Sequence, residues 1–109
     1  MFRVEDRNSF RERVLSTKGM LLVNFWARWS EECRSMYAIM RDIAALVDEQ
    51  DAILHIDWER QKRLARELEI FGVPTLLIYI NRRELARYSG IINKDELMRR
   101  ITEAKKPVV

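Results

Sequence analysis

The stretch Leu21-Leu22-Val23-Asn24-Phe25-Trp26-Ala27-Arg28-Trp29-Ser30-Glu31-Glu32-Cys33, LLVNFWARWSEEC, passes from an apolar run into a polar turn and then a helical pattern. Met20 to Trp26 is almost wholly apolar and rich in strand formers, as a central strand covered on both faces requires, and Asn24 alone interrupts it. From Glu31 onward, Met36, Ile39, Met40, Ile43, Ala44 and Val47 trace one face of a helix about five turns long, while Arg34, Arg41, Asp42 and Glu49 face water. The turn between them holds one hydroxyl, two carboxylates and one thiol, and so has the makings of a site.

Working outward, a short strand is expected at Phe2 to Val4. A helix follows over Asn8 to Leu15, with Asn8 as its polar starter and Lys18-Gly19 as its end. Ala52 to Asp57 reads as a second buried strand, and Arg60 to Leu68 as a helix with Leu64, Ala65 and Leu68 turned inward. Thr75 to Ile80 and Glu84 to Tyr88 form a hairpin around Asn81-Arg82-Arg83. An Arg where a two-residue turn requires positive φ predicts a different turn type. Asn93-Lys94-Asp95-Glu96 is a capping box opening a last helix that runs to about Ala104. Strands and helices that alternate and then close in a hairpin predict an α/β fold with a mixed sheet and helices on both faces.

The chain has 109 residues, enough to bury a core without disulfides, and residues 1–109 are expected to form one domain. Its net charge of +3, from 20 basic and 17 acidic residues, is too weak and too mixed to argue for nucleic acid. No run approaches the roughly 18 apolar residues of a membrane span, and MFRVEDRNSF has no apolar signal core, so the expectation is a cytoplasmic protein that binds no membrane. Monomer is the default. One cysteine excludes an internal disulfide and a multi-Cys metal site.

These patterns resemble the thioredoxin family over essentially the entire chain. Val23-Asn24-Phe25-Trp26-Ala27-Arg28-Trp29 is similar to the family's strand end, V-D-F-W-A-x-W. Phe71-Gly72-Val73-Pro74-Thr75 matches the segment with its cis-proline, and Ser89-Gly90-Ile91 its third active-site loop. The resemblance implies a thioredoxin fold: a central mixed sheet of about five strands flanked by four helices. It also implies disulfide exchange without a cofactor, and a groove at Trp29, Val73, Pro74, Gly90 and Ile91 where an extended peptide or protein partner pairs with backbone beside the proline.

The departures fall on the chemistry. Ser30-Glu31-Glu32-Cys33 stands where the family has C-G-P-C, so Ser30 replaces the attacking cysteine and Cys33 keeps the resolving position. The family's buried Asp falls at Asn24, the Lys that neighbours it at Ile53, and the proline that kinks its helix at Ala38. Exchange needs a thiolate to attack a disulfide and a second thiol to release the mixed disulfide formed. Ser30 supplies neither. It reads instead as an N-cap accepting from the N–H of Glu32 or Cys33, with Glu31 and Glu32 favourably placed at the positive end of the helix. That pair could also form an acidic spot for a basic partner. Cys33 is either an inert residue of the first turn or a single nucleophile resolved by an external thiol such as glutathione, and Glu31 and Glu32 oppose its ionisation. His55, the only histidine, falls in a predicted strand and reads as a hydrogen-bonded core residue. Trp58 is either exposed or a cap on the helix end. The expectation is a thioredoxin-like protein with its dithiol chemistry lost and its peptide groove retained; the alternative is a single-thiol oxidoreductase acting through Cys33.

Overall fold

Apolar residues alternate between the two sides of the central strands, and this alternation builds two cores. The computed structural model describes residues 7–106 and the strand at 2–3. Along β2 (Met20–Trp26), Leu21, Val23 and Phe25 point to one face. There they meet Leu54 and Ile56 of β3 (Ala52–Asp57), Leu77 and Tyr79 of β4 (Thr75–Ile80), Phe10 of α1 (Arg7–Ser16), and Leu64 and Ala65 of α3 (Lys62–Glu67). On the other face Met20, Leu22, Ile53, Leu76 and Ile78 meet Met36, Met40 and Ile43 of α2 (Glu31–Ala44) and Leu97 and Ile101 of α4 (Lys94–Ala104). A period of two therefore assigns each strand residue to a helix pair.

With β1 (Phe2–Arg3) and β5 (Arg83–Ser89), the five strands are ordered β1-β3-β2-β4-β5. β3 is parallel to β1 and β2, whereas β4 is antiparallel to β2 and β5. This is the architecture that the resemblance implies. The register Phe25↔Thr75 sets the turn after β2 beside Pro74, so the two sequence motifs become neighbours at one end of the sheet.

Several expectations need correction. α1 already includes Arg7, so Asn8 lies within the helix and does not start it; Val4 falls outside the described residues. α2 stops at Ala44, about four turns, because Asp51 captures the chain: its carboxylate accepts from the N–H of Asp48 at 3.0 Å and of Met20 at 2.8 Å. Val47 still packs against that core from beyond the helix. α3 is shorter than expected, Lys62–Glu67, with Leu68 as its C-cap. The hairpin does adopt a two-residue turn. Asn81 and Arg82 have φ of 53° and 68° between paired Ile80 and Arg83, and Arg82 Nε donates to the carbonyl of Leu15 at 3.2 Å. That bond and the pairing on both sides oppose the cost of left-handed backbone in a non-glycine residue, roughly 1–2 kcal/mol. Only half of the capping box forms: Asn93 Oδ1 accepts from the N–H of Glu96 at 2.8 Å, but the Glu96 carboxylate turns to Arg99 and Arg100.

The Asp51 carboxylate ties three elements together. Its side chain is 1% exposed and lies 2.7 Å from Lys105 Nζ, which joins the end of α4 to the start of β2. Gly19 is required beside it, since a Cβ there would sit 2.3 Å from Asp51 Oδ1 and 2.9 Å from the Gln50 carbonyl oxygen. Burial alone would raise the Asp51 pKa, but Lys105 and the two N–H donors outweigh burial and hold it below 3.8. A depressed carboxylate stabilises the fold above its unfolded-state value, and that contribution disappears as pH falls through the folded-state value. Asp51→Asn should therefore cost roughly 1.5–3 kcal/mol near neutral pH, as expected for hydrogen bonds to a charged group. In urea titrations across pH, the gap from wild type should narrow below about pH 4; a gap independent of pH would refute the ion pair's role.

Candidate functional site

Ser30 begins the site by ending the turn. Its N–H donates to the carbonyl of Ala27 at 3.1 Å, and its extended backbone (φ −89°, ψ 119°) precedes the first helical residue, Glu31. Ser30 Oγ accepts from the N–H of Cys33 at 3.2 Å, the N-cap geometry expected from the sequence. Both residues are buried, Ser30 at 7% exposure and Cys33 at 4%, while Glu31 and Glu32 are exposed and Trp29 is 61% exposed. The residue in the attacking seat is thus a cap, and the sulfur lies within the first turn. Neither is open to solvent.

On the α2 side of β2 lies Asn24, 1% exposed, where the resemblance places a buried Asp. Its register partner in β3 is His55; Ile53 lies opposite Leu22. Asn24 Nδ2 is 3.1 Å from His55 Nδ1, so the amide donates when the ring proton sits on Nε2. The ring of Tyr37 lies 5.6 Å from that of His55. Asn24 Oδ1 is buried without a hydrogen-bond partner, which costs about 1–3 kcal/mol. A carboxylate in this position could accept a proton, whereas the amide cannot.

The third part is the loop after α3. Glu69 leaves the helix at φ 58° as Ile70 N–H bonds back to the carbonyl of Ala65 at 2.8 Å. Four carbonyls of the following segment are then held: Glu69 by Arg87 Nη1 at 3.0 Å, Ile70 by Trp58 Nε1 at 3.0 Å, Gly72 by Thr75 Oγ1 at 2.8 Å, and Pro74 by Gly90 N–H at 2.8 Å. Between them the Val73–Pro74 peptide is cis. Among the described residues, the N–H and C=O of half-buried Val73 have no hydrogen-bond partner. Pro74 itself is buried; the accessible residues here are Val73, half-buried Gly90, and Ile91 at 48% exposure. A cavity of about 490 Å³ opens beside them, between Glu69–Thr75 on one side and Arg87, Ser89 and Gly90 on the other.

Three contributors escaped the sequence reading. Phe71 is 84% exposed, Arg87 clamps the loop from β5, and Trp58, neither exposed nor capping a helix end, is half-buried and holds the carbonyl of Ile70. Phe71 carried a signal in being a large aromatic at a motif's edge; Arg87 carried none, because its role depends on which loop meets β5. The expected groove residues Trp29, Val73, Gly90 and Ile91 all lie at this end of the sheet. Among the described residues, no three His, Cys, Asp or Glu side chains group so as to hold a metal.

Comparison with known proteins agrees with this geometry. The thioredoxin family model matches residues 1–103. A thioredoxin of Buchnera aphidicola subsp. Acyrthosiphon pisum is 31% identical over 97 residues, covering 89% of each chain. One of Chlamydia trachomatis is 26% identical over 103 residues, covering 94% of this chain and 98% of its own. Among solved structures, a mutant thioredoxin from Halobacterium salinarum superposes with a TM-score of 0.88 at 22% identity, covering 99% of this chain and 93% of that one.

If the Ser30 hydroxyl acts as a cap, Ser30→Ala should lower unfolding stability by about 1 kcal/mol and Ser30→Gly by only a few tenths. Urea denaturation of both variants measures this, and an unchanged Ser30→Ala protein would contradict the assignment.

Proposed function

The chain belongs to the thioredoxin family, and we propose that within it the protein is a redox-impaired binding module that takes an extended peptide at the cis-proline groove. The family's reaction moves two electrons between sulfurs. One thiolate attacks a disulfide, forming a mixed disulfide and expelling the first substrate thiol; the second thiol then attacks the enzyme's sulfur, expelling the other and closing an internal disulfide. A chain with one cysteine cannot complete the second step alone. Cys33 is also poorly placed for the first, being 4% exposed.

The observation that carries the binding role is the unpartnered backbone of Val73 in a loop where the carbonyls of Glu69, Ile70, Gly72 and Pro74 are all held. A strand laid beside Val73 can exchange both hydrogen bonds without moving the loop, which is β-augmentation at minimal ordering cost. Trp29, Gly90 and Ile91 would flank that strand, with Glu31 and Glu32 exposed nearby as an acidic spot beside Arg28 and Arg34. This recognition requires no thiol.

The protein should leave the reduction of a protein disulfide by dithiothreitol at its uncatalysed rate. Turnover abolished by Cys33→Ala would replace this reading with the single-thiol mechanism. Ser30→Cys should gain measurable exchange activity, yet remain below the dithiol relatives, because Asn24 still cannot relay a proton. A Ser30→Cys protein with no activity at all would show that the site is remodelled beyond the loss of one sulfur.

A further inference from the structure

Most exposed large apolar side chains are scattered over the surface, as on any protein, and need no explanation. Phe71 differs in degree and in place. At 84% it is the most exposed large hydrophobic among the described residues, and it forms part of the wall of the cavity beside Val73 and Pro74. The floor is buried Ile70, and the opposite wall is Arg87, Ser89 and Gly90. Its volume, about 490 Å³, lies in the range of sites that enclose small ligands or single side chains.

Charge narrows the choice of occupant. The Arg87 guanidinium is already committed, with Nε and Nη2 on the two Glu84 oxygens at 2.8 and 2.7 Å and Nη1 on the Glu69 carbonyl. Glu84 neutralises it. Glu69, also among the residues lining the cavity, makes no salt bridge among the described residues; Arg87 feels its charge but is bonded to Glu84, so the cluster Glu69, Glu84 and Arg87 carries one net negative charge. Glu31 and Glu32, exposed in the first turn of α2, are likewise outside every ion pair described. Exposed Arg28 and Arg34 balance Glu31 and Glu32 in that turn, so the charge at the aromatic wall itself is set by Glu69, which disfavours an acidic side chain there and favours a basic one.

We propose that Phe71 and Glu69 form a selectivity pocket of the groove, accepting from an extended peptide a bulky apolar side chain adjacent to a lysine or arginine. The proposal rests on the peptide-binding reading above and specifies its ligand. Phe71 covers the apolar side chain and loses its own exposure to water, while Glu69 attracts the neighbouring cation. Arg87 serves as a positioning residue, since its bond to the Glu69 carbonyl holds the wall in place.

The test uses two fluorescein-labelled nonapeptides with the same flanks, one with Leu-Lys at its centre and one with Ser-Glu. Fluorescence anisotropy gives their affinities, and the backbone amide of Val73 in nitrogen-15 correlation spectra reports where they bind. Wild type should favour the Leu-Lys peptide by about tenfold or more, a difference near 1.4 kcal/mol. Phe71→Ala, at an exposed position that should not disturb folding, should reduce that preference at least about threefold, within the range of interface aromatic truncations. Glu69→Gln should reduce both the preference and its weakening by salt. If the Val73 amide shifts on binding but neither variant alters the preference, the pocket is refuted and the groove stands. If neither peptide at millimolar concentration shifts Val73, the groove reading fails, and this inference fails with it.

Discussion

The hydrogen bond from the N–H of Cys33 to Ser30 Oγ is the constraint around which this end of the molecule is organised. It fixes where α2 begins, and the start of α2 determines which residues of its first turn meet solvent. Glu31 and Glu32 are left outside, facing water at the positive end of the helix, while Cys33 turns inward. One side-chain oxygen therefore stabilises the helix turn that carries the buried sulfur. A thiol in place of Ser30 would be the attacking group of an exchange reaction; a hydroxyl there is a cap.

The change is consistent one layer below. Asn24 occupies the place of a buried acid, and its amide reaches His55 on the neighbouring strand without bringing a charge into the interior. The orphaned Asn24 oxygen shows that this substitution is imperfectly accommodated. An unpaired buried carboxylate would be costlier still, since ions lose far more solvation than amides do. Attacking thiol, acid and helix-kinking proline are thus all absent together, while the loop before β4 has a cis Val73–Pro74 peptide. The two halves separate because they use different physics. Exchange depends on ionisable side chains, whereas the groove depends on a rigid loop with its carbonyls held by Arg87, Trp58, Thr75 and Gly90.

The sheet was legible because burial imposes period two. Met20–Trp26, Ala52–Asp57 and Thr75–Ile80 have the boundaries expected of them, and the helix faces agree wherever apolar spacing sets them. What could not be read were features decided by partners distant in sequence. Asn8 suggested a helix start by composition, yet the helix is entered earlier. Arg82 adopts a conformation its side chain disfavours because the carbonyl of Leu15, from α1, meets its guanidinium. His55, not Ile53, faces Asn24, a matter of register that neither strand reveals alone. In the site, the Ser30 cap followed from local spacing and appeared as expected, whereas Arg87 and Trp58 were invisible because loop anchoring is a tertiary contact.

The proposed structural role of buried Cys33 is tested most directly by the rate of thiol labelling. With an excess of a chromogenic disulfide reagent near neutral pH, native protein should react at least about 100-fold more slowly than protein unfolded in guanidinium, since modification must await opening of the first turn of α2. Labelling of the folded protein as fast as that of the unfolded chain would show an accessible, ionised sulfur and contradict the account.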